Sequence, residues 1–158
     1  MTTLIVYDSV FGNTGKVAEA IADEVGGDVR LRSVNAVTPA DLDEVTLLVV
    51  GSPTRGFRPT PAIQEYIAGL PADRLNGLRV AAFDTRLDLE TIHPAPLRWV
   101  VEVGGYAANV LETELAELHC TKAVESAGFL VTDTEGPLGD GEIERARAWA
   151  KPLRAADV

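Results

Sequence analysis

A chain of 158 residues, 46% hydrophobic and 24% charged, is long enough for one domain with a full core and too short for two. Its 24 acidic and 14 basic residues leave a formal net charge of -10, which repels phosphate backbones and argues against nucleic acid as a partner. The single cysteine, Cys120, excludes an intrachain disulfide; no basic, apolar leader precedes Leu4 and no apolar run nears the ~20 residues that span a membrane, so the expected setting is the cytoplasm, with no membrane partner.

Thr3 to Tyr7 is a continuous apolar, β-branched run, the pattern of a strand buried on both faces. After the loop Asp8 to Thr14, the residues Val17, Ala18, Ile21, Ala22 and Val25 recur at helical spacing, and Gly26-Gly27 ends that helix. Asp28 to Val34 alternates apolar and charged residues, as a half-exposed edge strand does. Thr38-Pro39-Ala40-Asp41 reads as a capped helical turn. Leu47 to Val50 is a second buried strand, running into the long loop Gly51 to Pro59. Thr60-Pro61 repeats the cap-plus-proline signal before Ile63, Tyr66, Ile67 and Leu70, and Asn76-Gly77 marks a turn.

Leu78 to Phe83 is a third buried strand, followed by the loop Asp84 to Asp88. Pro94 and Pro96 lead into a long helical stretch with an apolar stripe of Trp99, Val100, Val103, Ala107, Val110, Leu111 and Leu115, interrupted by Gly104-Gly105. The last strand is Cys120 to Val124, Phe129 to Thr132, or both with a break. Asp140 is placed to cap a final helix carrying Ile143, Ala146, Trp149 and Ala150.

Alternating strands and helices without repeats or linkers call for one domain over residues 1–158: a doubly wound α/β/α sandwich around a five-stranded parallel sheet. In such folds ligands sit outside the carboxyl ends of the strands. The loops to read are therefore Asp8 to Thr14, Gly51 to Pro59 and Asp84 to Asp88.

Gly15-Lys16 suggests a nucleotide-triphosphate loop, but counting removes it. The first glycine of that motif falls at Val10, and the magnesium-binding hydroxyl falls at Val17. The dinucleotide fingerprint is absent too. A phosphate-accepting receiver site fails because Gly51-Ser52-Pro53 supplies no acid. What remains is Ser9, Gly12, Asn13 and Thr14 leading into a helix. Those residues read as a metal-free phosphate cradle built from backbone N–H groups and hydroxyls, with a plain helix cap as the alternative.

The stretches YDSVFGNTGKVAEAIA, GSPTRG and AFDTR together resemble the flavodoxin family, as does the tail GPLGDGEIERARAWA, so that the resemblance covers nearly the whole chain. It implies strand order 2-1-3-4-5 and an FMN cofactor. It places the FMN phosphate on Ser9, Val10, Phe11, Gly12, Asn13 and Thr14; Phe11 stands where the family pattern has a hydroxyl. It places the isoalloxazine between Pro53, Thr54, Arg55, Gly56 and Phe57 on one side and Asp84, Thr85 and Arg86 on the other. Phe57 is the candidate for stacking, and the third loop has no aromatic. Arg55, Arg58 and Arg86 lie in these loops; they pair with acids such as Asp84 or Asp88, face the ring and raise its potential, or receive an anionic substrate or partner carboxylate. The implied function is electron transfer with a redox partner protein. An FMN-dependent reductase of a small acceptor and a flavin-free interaction module are the alternatives. His93 and His119 have no companions at metal-ligand spacing, and Cys120, Trp99 and Trp149 read as core residues.

Overall fold

A computed structural model describes residues 2–54, 58–87, 106–133 and 136–154. Its strands are β1 (Thr2–Tyr7), β2 (Asp28–Ser33), β3 (Leu47–Pro53), β4 (Arg79–Leu87), β5 (Thr121–Lys122) and β6 (Ala127–Val131). Its helices are α1 (Asn13–Val25), α2 (Pro61–Ala68), α3 (Ala72–Leu75), α4 (Ala107–Glu117) and α5 (Glu142–Arg154), with a 3-10 turn at Pro39–Leu42.

All ladders of the sheet are parallel, in the order β2-β1-β3-β4, with β5 and β6 both on the outer side of β4. This is the expected 2-1-3-4-5 order, with the fifth position divided between two segments. β5 pairs with Arg79 and Val80, and β6 pairs with Phe83 to Leu87.

The period-two alternation of each central strand splits its side chains between two cores. Ile5, Leu47, Val49, Ala81 and Phe83 face α1 and α5, where Val17, Ile21, Ala146 and Leu153 meet them. Leu4, Val6, Leu48, Val50, Val80 and Ala82 face Ile63 and Ile67 of α2 and Leu111 and Leu115 of α4. That is the physical content of the three layers.

Three aromatic rings anchor the first core. Phe83, Phe129 and Trp149 meet edge to face, with centroids 6.0–6.2 Å apart. Trp149 is thus a core residue as expected. The Phe83 ring lies over Gly51 on the neighbouring strand, where a β-carbon would come within 2.1 Å of it.

Three boundaries differ from the sequence expectation. β4 runs on through Asp84, Thr85 and Arg86 to Leu87, and β3 runs on to Pro53, so these residues are strand where loops were expected. The reason is pairing: Ser52 and Pro53 are in register with Asp84 and Thr85, and β6 pairs with the same stretch from the other side. The final helix starts at Glu142, and the Gly141 carbonyl accepts its first helical bond from Arg145 N–H, so Gly141 takes the capping position expected for Asp140. At α2 the expected proline is in place, but Thr60 makes no side-chain cap bond. The helical stretch between Pro94 and Gly105, with Trp99, lies outside the described residues.

The open edge of β6 is covered rather than left to pair with another chain. Leu130 N–H donates to the buried Glu142 carboxylate, and its carbonyl accepts from Gly139 N–H. Thr132 N–H donates to the Pro137 carbonyl, and the Gly128 carbonyl accepts from Arg145.

Candidate functional site

The carboxyl ends of β1, β3 and β4 converge beside the first turn of α1. The chain leaves β1 at Tyr7 and enters the helix through Gly12, whose φ of 91° is left-handed and suits glycine. Gly12 has its carbonyl on Lys16 N–H at 3.1 Å. Ser9 Oγ accepts from Gly15 N–H at 3.2 Å, satisfying one donor of the first turn from outside the helix. Ser9 thus caps the first turn of the helix. Its own hydroxyl proton is not used in that bond.

Thr14 is 1% exposed, and its hydroxyl shares a 2.8 Å hydrogen bond with the Thr85 hydroxyl of β4. One proton makes that bond, so the pair retains a second donor. This pair ties the first turn of α1 to the middle of the sheet.

A cavity of about 210 Å³ opens here. Val10, Phe11, Asn13 and Thr14 form one wall, Pro53 and Thr54 a second, and Thr85 and Arg86 a third, with Leu87 and Val131 completing it. Eight sequence-predicted residues thus share one cavity. Ser9 and Gly12, in the same turn, do not line it, and neither does Asp84, which is fully buried. Arg55, Gly56 and Phe57 lie outside the described residues. Leu87 and Val131 were not expected; strand pairing alone brings them there. The described lining offers hydroxyls, an amide and a guanidinium, and no carboxylate. Val10 and Phe11 are 52% and 44% exposed, the large hydrophobic residues most open to solvent among those described.

Arg86 is committed in a way the sequence left open. Its Nε and Nη2 donate to the two carboxylate oxygens of Asp84, both at 2.7 Å. Its Cζ lies 3.6 Å from the centroid of the Tyr106 ring. Asp84 also accepts from Ala108 N–H at 2.9 Å, and Thr54 Oγ1 accepts from Ala107 N–H at 2.9 Å. Two residues expected to touch a ligand therefore cap the start of α4. Arg58, also in the second loop, is exposed.

The turn after β6 supplies a contact that no motif announced. Gly136, with a φ of 102°, passes so close to Asn13 that a β-carbon would lie 2.5–2.9 Å from its amide group. The turn thereby seats the first residue of α1.

Elsewhere the chemistry is sparse. Cys120 is half-buried, and burial pushes its thiol pKa up, away from the reactive thiolate. Burial, with a smaller contribution from Asp41, pushes Tyr66 up to about 12. His119 is exposed, and His93 lies outside the described residues. Among the described residues no group of three metal-ligating side chains gathers, and no helix is long and apolar enough to cross a membrane. A second cavity of similar size, about 210 Å³, lies between α4 and the break in the sheet edge, with Cys120 in its wall. It is far from the strand ends where ligands bind in this architecture.

Residues 4–97 match the family model described as a flavodoxin domain. Among solved structures, a flavodoxin from the domain Archaea is similar over 99% of this chain and 98% of its own, with 20% identity and a TM-score of 0.74. Oxidised flavodoxin 1 from Bacillus cereus is similar over 97% of each chain, with 16% identity and a TM-score of 0.72. Rubredoxin oxygen:oxidoreductase from the anaerobe Desulfovibrio gigas matches 98% of this chain over 35% of its own length, with 18% identity and a TM-score of 0.72. No curated protein matches the sequence.

Proposed function

The chain belongs to the flavodoxin family, and on that premise we propose that it is a cytoplasmic electron-transfer protein that binds FMN at the carboxyl ends of β1, β3 and β4. The observation that carries this reading is the cavity itself. It joins a helix N-terminus, a buried hydroxyl pair with a donor to spare, and no carboxylate among the described residues that line it. That donor set fits a phosphate without a metal.

In this reading Thr14 and the first backbone N–H groups of α1 hold the phosphate, and Ser9 braces that turn through Gly15 N–H. Phe11 contributes no hydroxyl, and the backbone donors on either side of it make up the difference, since they do not depend on side-chain identity. Asn13 is held by Gly136 and keeps the first turn in place. Pro53 and Thr54 wall one side of the site, and Thr85 and Arg86 the other. When bound, FMN supplies the one- and two-electron chemistry. Exposed Val10 and Phe11 lie at the rim, and the net charge of -10 suits a basic redox partner.

The test is a titration of the purified protein with FMN and, separately, with riboflavin, read by the visible flavin bands and fluorescence. FMN is expected to bind at micromolar concentration or below, at least tenfold tighter than riboflavin. No binding of FMN overturns the proposal. Turnover of NAD(P)H with a small acceptor by the protein alone replaces electron carriage with a reductase activity.

A further inference from the structure

We propose that the Asp84–Arg86 pair sets the electrostatic field at the flavin site, with Arg86 screening a buried carboxylate that the fold requires. The inference rests on the FMN reading above.

Asp84 is 0% exposed and does not reach the cavity; Arg86 is 19% exposed and lines it. The order from the interior outward is therefore carboxylate, guanidinium, cavity. The carboxylate is buried because it caps α4: Ala108 N–H donates to it, and an anion is favoured at a helix N-terminus. A buried carboxylate needs a counter-charge, and Arg86 supplies it through both oxygens.

Two further features hold the guanidinium in that place. The Tyr106 ring lies against it, with Cζ 3.6 Å from the centroid. Gly128 on β6 leaves room for it: a β-carbon there would fall 2.0–2.3 Å from its atoms. Arg86 thus cannot swing freely towards solvent, and the pair presents its positive end to the cavity. A positive end stabilises an added electron, so the pair raises the one-electron potential of a bound flavin. The pair itself exchanges neither electrons nor protons; the reductant in the assay supplies the electron.

The test compares Arg86→Gln, Arg86→Lys and Asp84→Asn by redox titration of the FMN-loaded protein. Arg86→Gln leaves the carboxylate unscreened, and the potential falls by about tenfold in the one-electron equilibrium, ~59 mV. Asp84→Asn leaves the cation unopposed, and the potential rises by a similar factor. Arg86→Lys keeps the charge and stays near wild type, and it serves if Arg86→Gln does not fold. Opposite shifts from the two charge changes support the proposal, because a shared structural defect would move both the same way. Shifts of the same sign, or none, in a protein that binds FMN overturn it while leaving the FMN reading intact. A wild-type protein that takes up no FMN overturns both.

Discussion

Thr14→Val separates the two jobs of the Thr14 hydroxyl. In the free protein that hydroxyl is buried, and its partner in the described structure is Thr85 at 2.8 Å. Valine has the same shape and branching, so the helix start is unchanged. The substitution leaves the Thr85 hydroxyl, 5% exposed, without its partner. A buried unsatisfied hydroxyl costs about 1–3 kcal/mol. In a domain of this size that corresponds to a fall in Tm of roughly 2–4 °C per kcal/mol.

Binding changes by a different route. A hydrogen bond to a charged group contributes about 1.5–3 kcal/mol, so FMN is expected to bind roughly ten- to 150-fold more weakly. Riboflavin, which lacks the phosphate, is expected to bind as before. The double variant Thr14→Val/Thr85→Val removes both partners, which is close to neutral for stability when the replacements have the same shape. It should regain most of the lost Tm while its FMN affinity stays low. Thermal unfolding and fluorescence titration of the three proteins with both ligands check this. Equal weakening of FMN and riboflavin, or a double variant that recovers FMN affinity, would refute the assignment of Thr14 to the phosphate.

Gly51→Ala forces a methyl into the Phe83 ring, which Phe129 and Trp149 hold in place; the cost is near the upper end of the ~1–3 kcal/mol seen for overpacking. Combining it with Phe83→Leu should cost less than the sum of the single changes, and additive urea-unfolding energies would contradict the contact. Glu142 has its carboxyl pKa held below the ordinary 4.5, first by Arg145 and then, against the cost of burial, by Leu130 N–H. A depressed folded pKa gives stability that is full above 4.5 and lost as pH falls through the lower folded value. Glu142→Gln should therefore be less stable near neutrality and show a flatter acid limb in urea unfolding. Gly136→Ala combines a left-handed φ with a clash at Asn13, and is expected to lose about 1–3 kcal/mol of stability and weaken FMN binding; unchanged affinity for FMN would show that the seating of Asn13 does not matter.

Much of the architecture was legible because burial on two faces writes itself into sequence. Leu4 to Val6 and Leu47 to Val50 are apolar without interruption because alternate residues meet different helices. Val17, Ala18, Ile21 and Val25 repeat at helical spacing because one face of α1 lies on the sheet. The first site loop was legible too, since glycine, hydroxyls and a helix start are local features.

Asp84-Thr85-Arg86 shows where local reading stops. Two charges with a threonine between them look like a solvated turn. They form strand because strands β3 and β6 pair on either side, and because the two charges, on the same face, neutralise each other. The roles of Gly51, Gly128 and Gly136 are equally silent in the sequence, since each answers a side chain far along the chain: Phe83, Arg86 and Asn13. The sequence by itself determined the layers, the strand order through its family resemblance, and a hydroxyl-rich loop at a helix start. Only the tertiary structure decided which hydroxyl meets which, that Thr54 and Asp84 cap α4, and that Arg86 stands between a buried carboxylate and the cavity. The physical reason is that periodicity and turn chemistry act between near neighbours, whereas ion pairs, caps and close approaches act across space between residues that the sheet alone brings together.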